Sequence, residues 1–402
     1  MDFTFTEEQQ AAAEAARGVF AGVAPDGVPS PALVPGAVAE DIDRPLWSRL
    51  ASGDLLSLTL SPEHGGAGLD PVALCLVLRE SARVLARVPL LETCAVATAL
   101  QRYGEPSLAA ELLPRVGRGE LVLTVGANGR SGHEPAERAV TARPETAAGT
   151  TALTTPPAEA GAGDARTGGT DAGWVLDGTQ TAVPWAQAAD WIAVPAHTPE
   201  GRTVIALISS DQDGVTLAEQ VSTNGERLAE VRLESVRVTG RALMDRPGAW
   251  AWLRALLTTG TCALALGLGE AVLAMTSEYT GKREQFGFPV ATFQSVAVQA
   301  ADRYIDLRAM EATLWQAAWR ISTGADGTLP AEGDIAVAKI WASDGIRRVV
   351  QTAQHLHGGF GADTDYPLHR FHAWAKQIEL SLGPAAAHEE ALGELLASHL
   401  LG

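Results

Sequence analysis

Cysteine is scarce in this 402-residue chain. Cys75, Cys94 and Cys262 are too few and too scattered for a disulfide framework or a thiolate metal site, so a reducing, cytoplasmic setting is expected. Positive charge is also short, with 30 Lys and Arg against 48 Asp and Glu. The resulting net charge of −18 argues against nucleic acid as a partner. The N-terminal stretch "MDFTFTEEQQAAAEAARGVF" is acidic and lacks the basic-then-apolar order of a signal peptide. Long apolar runs are nearly absent. The one at 255–275 contains Thr258, Thr259, Thr261, Glu270 and several glycines, which fits a helix buried in a bundle rather than a membrane span.

What is present is a globular composition, 46% hydrophobic and 19% charged, long enough for two or three domains. Residues 1–118 read as helices, with Pro71 placed at the first turn of one of them. Residues 119–247 carry short β-rich runs such as "ELVLTVGA", "DWIAVPAH" and "TVIALIS", spaced as in a small barrel or sandwich. Inside that region, 142–173 is rich in Ala, Gly, Thr and Pro and too poor in large apolar residues to fold alone, so a mobile loop is expected. Residues 248–402 return to helical spacing, with helices predicted over 249–281, 292–323, 333–356 and 384–399, and a further helix between the Tyr366-Pro367 bend and Leu382-Gly383.

Several local patterns invite a chemical reading. Arg283 in "GKREQFG" is a helix-end arginine that either meets solvent or grips an anion. The paired glycines Gly358 and Gly359 suit a tight interhelical turn and equally a close backbone approach to a ligand. His355, His357, His369 and His372 have spacings that imitate metal ligands, but no cysteine lies near and no metal site is expected. "GAGDARTGG" and "GLGEAV" lack the preceding strand that a dinucleotide fingerprint needs.

The order of segments, together with "LSPEHGGAGLD" (60–70), "GWVLDGTQTAVPWAQAADWIAVPA", "KREQFGFPVATFQ" and "HLHGGFGADTDYPLHRF", resembles the acyl-CoA dehydrogenase family over nearly the whole chain. The resemblance implies an α+β multidomain fold: an N-terminal helical domain, a central β-barrel and a C-terminal four-helix bundle. It implies FAD, an acyl-CoA thioester and α,β-dehydrogenation. It also implies an oligomer in which the bundle of one subunit reaches the diphosphate and adenosine of a neighbour's FAD. Carried over residue by residue, it places Arg283 on that diphosphate, Phe286 against the adenosine, Gln294 on an adenosine or phosphate oxygen, and Gly358 and Gly359 beside the cofactor. The family usually has a Gln three residues before this glycine pair; here His355 stands there and Gln354 is one place early.

The resemblance also exposes what is missing. The two positions from which the family supplies its catalytic carboxylate fall on Leu382 and Leu257, and leucine cannot take a proton. Glu379 is the nearest candidate for a displaced base, and Glu270 lies farther off on the long helix. Of the family's ring-gripping barrel residues Thr124 remains, but Val125 replaces the acid, and Pro184 removes a backbone donor. Losses fall in the ring-and-base half of a composite site, while the half that reaches a neighbour survives. The resulting expectation is a non-catalytic subunit that completes the FAD site of a second, catalytic acyl-CoA dehydrogenase chain, as in two-chain relatives of actinobacterial steroid side-chain degradation. The alternatives are a self-sufficient dehydrogenase using Glu379, associating with itself, and a flavin-free scaffold of the same fold.

Overall fold

A computed structural model describes residues 4–40, 42–130, 139–145 and 173–399. Five helices come first: α1 (Glu7–Phe20), α2 (Arg44–Ser52), α3 (Pro71–Arg83), α4 (Leu90–Tyr103) and α5 (Pro106–Gly117). Their starts are written locally. Thr6 and Gln9 close a capping box on α1, and the side chains of Asp43 and Asp70 accept from Leu46 and Ala73 N–H groups. Pro71 occupies the first turn of α3, where its missing N–H costs nothing.

The central domain holds β1 (Leu123–Val125), β2 (Val140–Pro144), β3 (Gly173–Pro184), β4 (Trp191–His197), β5 (Thr203–Ser209), β6 (Val215–Val221), β7 (Arg227–Thr239) and β8 (Leu243–Met244). They form one sheet in the order β6-β7-β3-β2-β4-β5-β8, with β1 on β4. The barrel expected from the sequence does not close: among the described residues β6 and β8 are separate edges of an open sheet. The physical reason lies in what covers it. β4 and β5 are buried on both faces. One face packs its own core of Ile192, Val194, Ile208, Val231 and Val236. The other carries Ala193, Ile205 and Leu207 into the main helical core. Helices cover the second face, so closure is not needed to hide it. Strands β2 and β3 take up 142–144 and 173 of the segment expected as a loop; 146–172 lie outside the described residues.

The C-terminal domain contains α6 (Ala249–Lys282), α7 (Gln294–Thr323), α8 (Ala331–His357), α9 (Leu368–Leu380) and α10 (Ala385–Ser398). Helices α6, α7 and α8 pack on one another, α9 lies against α6 and α8, and α10 packs on α8. The four-helix core therefore uses α9, the helix expected after the Tyr366-Pro367 bend, and α10 is added outside. Helix α6 is the one described helix long and apolar enough to cross a membrane, and 78% of its most apolar window is buried inside the protein. Between α6 and α7 a two-residue hairpin pairs β9 (Glu284–Gln285) with β10 (Phe288–Pro289).

Candidate functional site

Two places collect the residues singled out above. The first is an apolar cavity of about 290 Å³ among α3, α4, the ends of β1 and β3, the β6–β7 turn, α6 and α9. Leu257 from α6 and Leu382 from the α9–α10 turn both line it. The two positions where a carboxylate would be sought are thus one place in space, and both are apolar. Leu382 adopts φ +59, a left-handed conformation that costs a non-glycine residue roughly 1–2 kcal/mol. Its turn is pinned from two sides. His388 Nε2–H donates to the Leu382 carbonyl at 3.0 Å, and the fully buried Lys339 ammonium donates to the Glu379 carbonyl at 3.0 Å. Burial pulls the His388 imidazole down to about 4, so the ring stays neutral in this role at physiological pH.

Thr124 and Asn128 are both spent on backbone carbonyls of β3. Thr124 is fully buried, and its hydroxyl donates to the Pro184 carbonyl at 2.6 Å. The Asn128 amide donates to the Ala182 carbonyl at 3.2 Å. Ala182 and Trp185 flank this segment at φ +48 and +58. Three non-glycine residues in the left-handed region, Ala182, Trp185 and Leu382, therefore border the same cavity.

Two carboxyl groups in the cavity were not foreseen: Glu92 on α4 and Glu226 at the start of β7. Burial raises Glu92 to about 7, eased by its own backbone N–H and the Trp185 indole. Burial and the neighbouring Glu92 charge raise Glu226 to about 8, against the pull of Arg87 and Asn224. Arg87 is held in place by an ion pair with Asp26, by the Asn224 carbonyl at 3.0 Å and by the face of Trp374 at 5.2 Å. Glu92 had a visible signal, a lone charge inside the apolar run "LLETCAVATAL"; Glu226, in an ordinary turn, had none.

Glu379 and Glu270 do not line this cavity. The Glu379 carboxylate pairs with Lys376 at 2.6 Å. Glu270 joins α6 to α3 through Arg79 and Arg83.

The second place lies at the far end of α6, where a cleft of about 500 Å³ is lined by Tyr279, Lys282, Arg283, Phe360 and Tyr366 among others. Arg283 is exposed, and its side chain forms no ion pair with another described residue. Gly358 and Gly359 are exposed too, with open space where a Cβ would stand. They follow directly on α8, over an aromatic stack. Tyr279 lies on His357 at 4.3 Å and on Phe360 at 5.5 Å. His357 Nδ1–H donates to the Ala353 carbonyl, so its Nε2 accepts from the Tyr366 hydroxyl at 3.1 Å. His369 donates to the Tyr366 carbonyl at 2.8 Å, so these two histidines serve the turn.

Phe286 stands apart. It is 90% exposed, with φ +56 in the hairpin turn before Gly287, and touches Phe293 edge-on. A core role is therefore excluded, and the ring is presented outward at some backbone cost. Gln294 is exposed at the start of α7. Arg283, Phe286, Gln294, Gly358 and Gly359 are all on the surface, whereas Leu257 and Leu382 face an interior cavity. Among the described residues, no cavity joins the two groups into one site within this chain.

Comparison with known proteins follows this geometry. The family model for the acyl-CoA dehydrogenase N-terminal domain matches residues 6–120, and that for the C-terminal domain matches 257–396. The Mycobacterium tuberculosis acyl-CoA dehydrogenase FadE27 is 33% identical over 88% of both chains. A solved ChsE4–ChsE5 complex from the same organism contains a chain 32% identical, covering 99% of each, with a TM-score of 0.83. A chain of the Tcur3481–Tcur3483 steroid ACAD is 35% identical over 98% of each, also with a TM-score of 0.83.

Proposed function

The chain belongs to the acyl-CoA dehydrogenase family of FAD-dependent oxidoreductases acting on CH–CH bonds, and on that premise we propose that it is the non-catalytic partner in a pair of unlike chains. The observation that carries this reading is the convergence of Leu257 and Leu382 on one cavity. An acyl-CoA α-proton needs a base within hydrogen-bond reach, and neither side chain can serve. Thr124, the surviving ring-gripping residue, has its one O–H committed to the Pro184 carbonyl and cannot donate to a flavin.

The residues at the second place do fit a piece of FAD. Arg283 would hold the diphosphate through its fork, Gly358 and Gly359 would let backbone approach it, and Phe286 and Gln294 would meet the adenosine end. These residues face outward, so the flavin they serve is one held by a neighbour. When bound, FAD supplies the hydride acceptor for dehydrogenation of an acyl-CoA thioester. The outer face of the hairpin and α7 exposes Phe286, Phe288, Val298, Tyr304 and Ile305, an apolar stripe that calls for a covering subunit. The ChsE4–ChsE5 complex is a precedent for two named chains assembling in this fold.

The test is flavin stoichiometry. Purified alone, the chain should bind little FAD and turn over no acyl-CoA. Co-expressed with its partner, it should form an α₂β₂ assembly with one FAD per unlike pair. Arg283→Ala in that assembly should loosen FAD by about 10-fold or more, since it removes a charge-assisted contact of about 1.5–3 kcal/mol. One tightly bound FAD per isolated chain, with turnover, would refute the reading.

A self-sufficient enzyme is the second reading, and the observation that favours it is the presence of Glu92 and Glu226 in the cavity. Glu379 is not its base, because Lys376 holds that carboxylate away from the cavity. Glu379→Gln should keep the activity of the assembly within about twofold of wild type. A loss of several orders of magnitude would restore Glu379 as the base.

A further inference from the structure

We propose that the cavity bordered by Glu92, Asn224 and Glu226 is a ligand site of its own, separate from any flavin, that takes a small apolar molecule carrying one hydroxyl group. Its size sets the body of that ligand. At about 290 Å³ it lies near the lower edge of ordinary ligand pockets, roughly 300–1,000 Å³, and is about twice the apolar cavity of ~150 Å³ that takes a benzene ring. Two fused rings fit. The walls suit them, with Leu78, Leu91, Leu228, Leu257, Leu264 and Leu382 around the space.

The polar end sets the functional group. Asn224 is 1% exposed, and its Oδ1 accepts from the Glu226 backbone N–H at 3.2 Å. A backbone N–H can only donate, so this bond fixes which way the amide points. Among the described residues the Nδ2 group then makes no well-formed hydrogen bond, and its pull on the Glu226 carboxyl is an unoptimised one. Nδ2 is a buried donor waiting for an acceptor, beside two carboxyl groups that can accept from a ligand O–H. A hydroxyl meets both demands at once, accepting from Asn224 and donating to a carboxyl oxygen. An ammonium cannot accept from Asn224, and a plain hydrocarbon would leave the Nδ2 donor unmet. The strained backbone at Ala182, Trp185 and Leu382 around the same space is what a preformed site would hold in place.

The experiment uses the full chain, by equilibrium dialysis with 2-naphthol and naphthalene. Expected are one 2-naphthol per chain and affinity for naphthalene weaker by about tenfold for the unmet hydrogen bond. Asn224→Ala removes the Nδ2 donor; it should bring 2-naphthol close to naphthalene. Leu257→Trp, which fills the space from an apolar wall, should abolish binding of both, and thermal melting checks that each variant is folded. Equal affinity for 2-naphthol and naphthalene, no saturable binding, or full binding by a folded Leu257→Trp protein would each overturn the proposal. The same dialysis with FAD present separates this inference from the functional reading. If FAD displaces 2-naphthol from the isolated chain, the cavity is a flavin site and both fall. If the chain stays flavin-poor and binds no 2-naphthol, this inference alone falls.

Discussion

Replacing Glu226 by glutamine should stabilise the chain by on the order of 3 kcal/mol at pH 9 and by less than about 1 kcal/mol at pH 5. The Glu226 side chain is 6% exposed, and burial together with the neighbouring Glu92 raises it from 4.5 to about 8. A carboxyl group with a raised folded-state pKa adds stability fully below its unfolded value, and that stability is lost as pH rises through the folded value. The window here runs from 4.5 to about 8, and Glu92, raised to about 7, acts in the same direction. Because the two interact, they titrate as a pair, and removing one charge also relieves the other. Glutamine keeps the shape and never ionises, so the variant escapes the alkaline loss. His388 works in the opposite direction, since its lowered pKa withdraws stability only as pH falls from 6.5 towards about 4. It is neutral in both states at pH 9 and does not blur the comparison. Urea unfolding of the two proteins at both pH values checks this. An equal gain at pH 5 and pH 9, or a loss at pH 9, would show that the Glu226 carboxyl reaches solvent or a compensating charge.

Much of the architecture was legible because local rules and tertiary structure agree. The apolar run at 255–275 sits inside α6 and is buried; Pro71 begins α3; "DWIAVPAH" and "TVIALIS" are β4 and β5. The order of helical, β and helical regions came from periodicity and composition, and the resemblance gave the family's fold. Local rules missed β6, whose "VTLAEQV" is half exposed and carries Glu219 and Gln220, so it reads as a loop. They did foresee α9, as the helix that follows the Tyr366-Pro367 bend and stops before Gly383. Barrel closure failed for a non-local reason, since only the helices packed behind β4 and β5 decide whether an edge must pair. The site was legible as a list of absences at Leu257 and Leu382. That the two share a cavity with Glu92 and Glu226 depends on how α4, α6, the β6–β7 turn and α9 come together, and no spacing within any one of them encodes that.

Gly267→Ala should cost about 3 kcal/mol, at the upper end of what overpacking one methyl group usually costs, although the added group is apolar and lies in a helix. A Cβ built on Gly267 would stand 1.9 Å from the Arg79 carbonyl oxygen and 3.0 Å from its Cα. The obstacle is backbone of α3, which no rotamer change can clear, so the two helices must move apart. That movement would also strain the Arg79–Glu270 pair, whose Nε–Oε2 contact is 2.8 Å and which closes the same crossing one turn later. Two other glycines of α6 calibrate the effect. At Gly260 the added Cβ would meet the Leu91 side chain at 2.3 Å, which can rotate towards the cavity it lines, so the cost should be smaller. At Gly281 nothing lies within 4 Å, and alanine there should be neutral or stabilising by up to about 1 kcal/mol from helix propensity alone. Urea midpoints of the three variants should therefore fall in the order Gly281→Ala, Gly260→Ala, Gly267→Ala. A wild-type midpoint for Gly267→Ala would mean that α3 and α6 do not cross as closely as 1.9 Å implies. The consequence for function follows from what α6 joins. It carries Leu257 into the cavity wall opposite Leu78 of α3, and its last turn leads into Arg283. Gly267→Ala should accordingly weaken 2-naphthol binding in the cavity, through the displaced α3 wall, more than FAD retention at Arg283, which lies four turns away at the free end of the helix.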